Sequence, residues 1–270
     1  MDTGIIMDNH NIVSYLEAAS GFTPKDLLPE SLRISSGNSG LETFYAPFDW
    51  INKEAKLVIC GITPGLQQAN KALTAAISAR EMGMDLDASL KMAKNTGSFA
   101  GAMRNNISKM LDHIKLNELL DINSCGQLFT DRQDLVHYTS ALRYPVFKDK
   151  ANYSGDKQMV SNPYLWNQAK QGLQEEIATL PEALWVPLGK SVVAVFEKLI
   201  SEGVLGEDKV LFGLPHASGA NAERIKYFLG EKPRDQLSSK VNPETIDAQK
   251  MPLLEKVRVL IENNRATLQS

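Results

Sequence analysis

The stretch 57–65, Leu-Val-Ile-Cys-Gly-Ile-Thr-Pro-Gly, limits the possible folds more than any other part of the chain. Leu57 to Cys60 is an unbroken apolar run of the kind found in a parallel strand buried on both faces. Gly61, Pro64 and Gly65 force a turn behind it. Leu66, Ala69, Leu73, Ala76 and Ile77 then recur near helical period, which predicts an amphipathic helix over 66–84. A strand that passes through a Gly/Pro loop into a helix is the repeating unit of an open α/β sheet, and ligands bind at the carboxyl ends of such strands. Many such units carry no chemistry, so the junction acquires weight only from a second of the same design.

That second junction is present. Residues 210–214 read as a short strand running into Pro215-His216-Ala217-Ser218-Gly219-Ala220-Asn221, which delivers a His, a Ser and a Gly-containing loop to a helix start. Two more strands are expected at 134–142 and 183–188. Helices are expected at 9–19, 85–94, 103–114, 163–180 and 192–200, with a last one from about 246 to 266. Residues 35–40 and 151–163 read as polar loops, and Phe44, Tyr45, Phe48 and Trp50 as core packing before the first strand. Strands alternating with helices predict an α/β fold, three layers with a central, mainly parallel four-stranded sheet. One domain over 1–270 is expected, with a core at about 42–234, an N-terminal helical extension over 1–41 and the C-terminal helix.

The pair Gly-Ile-Thr-Pro-Gly and His-Ala-Ser-Gly-Ala-Asn resembles the two signature loops of the uracil-DNA glycosylase superfamily. The first is similar to the loops of its mismatch-specific and single-strand-selective branches, which carry Asn before the Pro. The second is similar to their His-Pro-Ser or Asn-Pro-Ser loop. The resemblance covers roughly 42–234 and implies the same fold. Its implied activity is hydrolysis of the N-glycosidic bond of a damaged or deaminated base in DNA, without a cofactor. It implies Thr63 and His216 as catalytic residues. Gly61, Ile62, Pro64, Gly65, Phe99 and Ser140 would surround the base, and Arg143, Lys190, Ser218, Gly219 and Asn221 would contact DNA. Phe99 falls in a loop similar to the Phe-x-Gly loop whose ring stacks on the extracted base. Ser140 stands where the superfamily has a base-reading Asn, and a hydroxyl cannot make the two-point contact of an amide. Ala217 stands where Pro is usual, which removes some stiffness from the second loop.

Such chemistry needs the nucleotide flipped out of the stack, a donor for the charge on the departing base, and a placed water. An imidazole N–H at His216 suits the donor role; packing or helix capping is the plain alternative for a lone His. The superfamily places Asp or Asn near the third position of the first loop, where this chain has Ile62 and Thr63. A Thr hydroxyl holds water by hydrogen bonding but is no general base at neutral pH. Two function classes follow: a base-releasing glycosylase, and a protein of the same fold that captures a base or nucleotide without cleaving it. Gly189-Lys190-Ser191 is not a phosphate-binding P-loop, because its first Gly is missing.

Two cysteines, Cys60 and Cys125, cannot supply the four thiolates of an iron–sulfur cluster and are too few for a disulfide scaffold, so no metal and a reducing, cytoplasmic setting are expected. No apolar run approaches the ~18–20 residues of a membrane span, and Asp2 and Asp8 stand where a secretory signal would be basic. A monomer acting on single- or double-stranded DNA is the expected form. The net charge of −3 does not by itself advertise a nucleic-acid partner. Candidates for a local basic patch lie beside the motifs: Arg143, Lys148, Lys150 and Lys157, then Arg224, Lys226, Lys232 and Arg234. A solvated surface of mixed charge is the plain reading of any one of them.

Overall fold

The computed structural model describes residues 7–24 and 27–269; Asp2 lies outside them. In chain order, α1 (Asn9–Ala18) leads to a hairpin of β1 (Arg33–Ser36) and β2 (Leu41–Phe44), then to β3 (Leu57–Gly61). Four helices follow: α2 (Leu66–Glu81), α3 (Leu86–Gly97), α4 (Ala102–His113) and the short α5 (Leu116–Leu119). After β4 (Val136–Ser140), β5 (Val146–Lys148) and β6 (Ala151–Asn152) come α6 (Gln158–Ser161), α7 (Pro163–Thr179), β7 (Leu184–Pro187) and α8 (Lys190–Ser201). Helices α9 (Ala222–Phe228) and α10 (Pro243–Gln269) complete the fold.

Strand β3 lies between β4 and β7, parallel to both, with Ile59 opposite Tyr138 on one side and Val186 on the other. Its five residues are all buried, as the apolar run requires. Side chains alternate across a strand, so its residues split between two cores. Leu57 and Ile59 pack with Ile107 and Leu111 of α4, Phe228 of α9 and Val257 of α10. Val58 and Cys60 pack with Leu165, Ala169 and Leu173 of α7 and with Val195 and Phe196 of α8. Helices therefore cover both faces of the parallel sheet, and the fold is mixed α/β.

The parallel sheet has three strands. The segment 210–214 joins it through one parallel bridge, Trp185 with Val210, and a bond from the Leu211 N–H to the Trp185 carbonyl (2.8 Å). Gly213 ends the extended run: its φ is +118°, and a Cβ there would lie 2.7 Å from the Gln249 carbonyl oxygen of α10. The expected fourth strand is therefore reduced to a single bridge, followed by an irregular segment packed closely against α10.

A second, antiparallel sheet of order β1-β2-β5-β6 stands beside the first. It occupies parts of the two stretches read as polar loops. A third core joins it to the N-terminal helices: Ile12 and Leu16 of α1 pack with Tyr45, Phe147 and Leu73 of α2, and Tyr15 stacks on Tyr45 at 4.8 Å. Phe44, Tyr45 and Phe48 are buried core residues, as expected. Among the described residues, no helix is long and apolar enough to cross a membrane.

Candidate functional site

A cleft of about 880 Å³ opens at the carboxyl ends of β3, β4 and β7. Thr63, Phe99, Ser140 and His216, which come from four distant segments, all line it. Gly61, Ile62, Gly65, Lys190, Ser218 and Asn221 line it too. Pro64 instead lines a small adjoining void of about 10 Å³ behind Phe99 and Ser140, room for about one water. Gly219 is exposed in the second loop and is not on the wall.

His216 is half-buried, and its Nδ1 accepts the Ser218 backbone N–H (3.2 Å). An amide can only donate, so the proton of the neutral ring sits on Nε2. Burial holds the His216 pKa below its ordinary 6.5, so the ring is neutral at pH 7. The result is an imidazole whose Nε2–H has no protein acceptor among the described residues. The loop that carries it is held without the missing proline: Ala217 is buried, and its carbonyl accepts from Asn106 Nδ2 of α4 (2.9 Å). Asn221 does not cap α9; its Nδ2 donates to Ser218 Oγ (3.1 Å) and its Oδ1 accepts from Arg224 Nη1 (3.3 Å).

Gly189 fixes the other side of His216. It has φ +89°, and a Cβ there would lie 2.9 Å from the His216 Cβ. Gly189→Ala is therefore expected to push the imidazole off its position. A displacement of about 1 Å costs on the order of 10²-fold in a positioned reaction. The check is the position of the His216 ring in a crystal structure of this variant; an unmoved ring would show that Gly189 does not set it.

Phe99 holds a left-handed conformation (φ +51°), uncommon for a bulky residue. Its N–H donates to Gln68 Oε1 (3.1 Å), and its ring meets Tyr138 edge-on at 6.2 Å. A Cβ on Gly61 would come within 3.1 Å of the Phe99 ring, so a larger residue there would need the ring to shift by a few tenths of an ångström. Phe99 is 5 % exposed and forms part of the wall; it does not project into the cleft. Ser140 is half-buried, with no partner for its hydroxyl among the described residues.

Two expectations need correction. The Thr63 hydroxyl donates to the Tyr144 carbonyl (2.9 Å) and accepts the Val146 N–H (3.0 Å). Its one proton is committed to joining the first loop to the start of β5, so Thr63 cannot orient water by donation. Arg143 is not a phosphate contact. Its side chain is 9 % exposed, pairs with Glu175 (2.7 Å) and Glu176 (3.2 Å), and donates to the Gly172 carbonyl (3.1 Å). The start of α2 is also less open than the motif suggests, since the Leu66 N–H donates to Asn152 Oδ1 (2.8 Å).

Arg143 belongs to a buried charged cluster behind the cleft that sequence reasoning missed. Glu176 Oε1 accepts from the Thr139 hydroxyl (2.9 Å) and lies 3.5 Å from His137 Nε2 and 3.9 Å from Lys94 Nζ. Lys94 also donates to the Trp50 carbonyl (2.7 Å), and His137 Nδ1 accepts the Asn52 N–H (3.3 Å). Burial alone would raise the Glu176 pKa; Arg143, then His137 and Lys94, outweigh it and hold the carboxyl below the usual carboxylate range. Burial pulls Lys94 down to about 8, and burial with Lys94 nearby pulls His137 down to about 4. One signal was present: Lys94 and Glu176 sit on the apolar stripes of α3 and α7, beside Leu90 and Ala93 and beside Leu173 and Ile177. The cleft wall also includes Lys240, Asn242, Thr245 and Gln249, from the segment before α10 and its first turns, where no site residue was expected.

Among the described residues, the charged ones on the wall are Lys190, Arg224 and Lys240, with no Asp or Glu. Among the described residues, no group of three or more His, Cys, Asp or Glu is placed to hold a metal ion. The cleft can therefore hold an anion and donate hydrogen bonds, and its walls offer no carboxylate as a general base.

The uncharacterized protein YoxB of Bacillus subtilis (strain 168) is 36% identical over 226 residues, which span 82% of this chain and 87% of YoxB. No family model matches the sequence, and no solved structure matches it. At that identity and coverage, the chain belongs to the same family as YoxB.

Proposed function

We propose that the cleft takes a nucleotide extruded from DNA and releases its base by hydrolysis, as a uracil-DNA glycosylase-like enzyme. The observation that carries this reading is the meeting of Thr63, Phe99, Ser140 and His216 at the carboxyl edge of the parallel sheet, on a wall whose charges are all positive. The bridge at Val210 supports reading that segment as a reduced fourth strand of a glycosylase-like sheet. In the proposed step, the electrons of the glycosidic bond go to the base, which leaves with charge on an oxygen. The His216 Nε2–H stabilises that charge, water adds its oxygen to the sugar carbon, and the proton this water loses ends on the departed base and makes it neutral. Lys190 and Ser218 lie where phosphate contacts would hold the strand. We place the protein in a reducing cytoplasm, as a monomer, where its two buried thiols stay free.

A second reading has its own support. The committed Thr63 hydroxyl and the absence of carboxylates on the wall favour a protein that captures a nucleotide without cleaving it. A panel of oligonucleotides carrying uracil, deoxyinosine, deoxyxanthosine or alkylated bases separates the two. Abasic sites on at least one substrate are expected; binding without abasic sites on any would leave the capture reading.

A further inference from the structure

We propose that Arg224 and Lys240 form a clamp for the phosphodiester backbone of a nucleic-acid strand, beside the nucleotide site and on a wall supplied by the start of α10. This rests on reading the cleft as a nucleotide site, and it adds a grip that lies partly beyond the segment resembling the glycosylases.

The two cations are brought together by the backbone. Arg224 Nη2 donates to the Lys240 carbonyl (2.7 Å), and Nη1 donates to Asn221 Oδ1 (3.3 Å). The guanidinium is thereby fixed on the cleft wall against the residue that carries the second charge. Three neighbouring cations are neutralised, and Lys226, which has no carboxylate partner among the described residues, does not line the cleft. Lys232 pairs with Glu223 (2.7 Å), Arg234 pairs with Glu244, and Lys109 lies 3.9 Å from Glu231. Glu223 adjoins Arg224 in sequence but turns to Lys232 and accepts from the backbone and hydroxyl of Ser238. Arg224 and Lys240 have no carboxylate partner among the described residues. Two cationic residues tied to each other through the Lys240 backbone, on a cleft wall without acids among the described residues, suit an anion, and Arg and Lys are the usual phosphate-contacting side chains.

The same wall carries neutral donors. Asn242 Oδ1 accepts the Thr245 N–H (3.0 Å) and so caps the start of α10, and Asn242, Thr245 and Gln249 all line the cleft. Lys190 supplies a separate cationic station at the start of α8. Two stations on different elements fit successive phosphates of one strand better than the single phosphate of a free nucleotide. The volume of about 880 Å³ lies near the upper end of small-molecule sites and leaves room for more than a base.

The experiment measures affinity for a short single-stranded thymidine oligonucleotide across a series of salt concentrations, for the wild type, Lys240→Gln and Lys232→Gln. Each phosphate contact contributes about 0.7 to the slope of log affinity against log salt for a single strand. Lys240→Gln is expected to lower the slope by about that amount and to weaken binding several-fold at low salt. Lys232→Gln, with its cation already paired, is expected to keep the wild-type slope. A wild-type slope in Lys240→Gln overturns the clamp, and an equal drop in both variants replaces it with a diffuse field. Thymidine monophosphate bound as tightly as the oligonucleotide, with the same loss in Lys240→Gln, would mean a small-anion site and also overturns it. Base release is not read here, so a protein that cleaves nothing still decides the clamp, and a failed clamp leaves the cleavage assay standing.

Discussion

Glu176→Gln is expected to lower the stability of the folded chain by about 3–5 kcal/mol, the range for removing one partner of a buried ion cluster. Glu176 is fully buried and is the shared anion of Arg143, His137 and Lys94. Without it, Lys94 remains in the interior with only neutral acceptors, and Arg143 keeps Glu175 alone as its anionic partner. The same cluster sets the response to acid. His137 has its folded pKa at about 4 against an ordinary 6.5, so on acidification the unfolded chain takes up its proton first. Stability therefore falls as pH drops from about 6.5 to about 4, by on the order of 3 kcal/mol. Glu176, held below its ordinary 4.5, adds a loss in the same direction at lower pH. Urea unfolding at several pH values checks both effects. A cost below about 1 kcal/mol at neutral pH, or a stability flat between pH 6.5 and 4, would show that the cluster is not the buried ionic network described.

The parallel sheet and the cleft were legible because apolar runs and Gly/Pro turns are local signals. The β3 junction lies within one residue of its expected strand, and Phe99, Ser140 and His216 come together as the loop pattern implied. The antiparallel sheet was not legible, because β1, β5 and β6 are short, partly exposed and paired with distant segments. The roles of Thr63 and Arg143 were misjudged for a related reason. A hydroxyl or a guanidinium near a motif looks available in sequence, while its partners Tyr144, Val146, Glu175 and Glu176 are supplied by tertiary structure. Nor does sequence show that α10 folds back on Gly213 and builds a cleft wall, since that contact joins residues far apart in the chain.

His216→Ala is expected to slow base release by ~10²-fold, the usual loss for one preorganised donor to a developing negative charge. Nδ1 is occupied by the Ser218 N–H and Nε2–H is free, so the ring is set to donate on the cleft side. A neutral imidazole gives this donation without titrating near pH 7, and release is expected to be level from about pH 6.5 to 8. Affinity for the strand, proposed to rest on Lys190, Arg224 and Lys240, is expected to change little, since the interaction lost matters mainly in the transition state. Single-turnover release of the base from the best oligonucleotide of the panel, measured with saturating protein for the wild type and His216→Ala, tests the central claim most directly. The account predicts measurable release by the wild type and a rate about 10²-fold lower in the variant at similar affinity. Equal rates in the two proteins, or no release by the wild type from an oligonucleotide it binds, would contradict it.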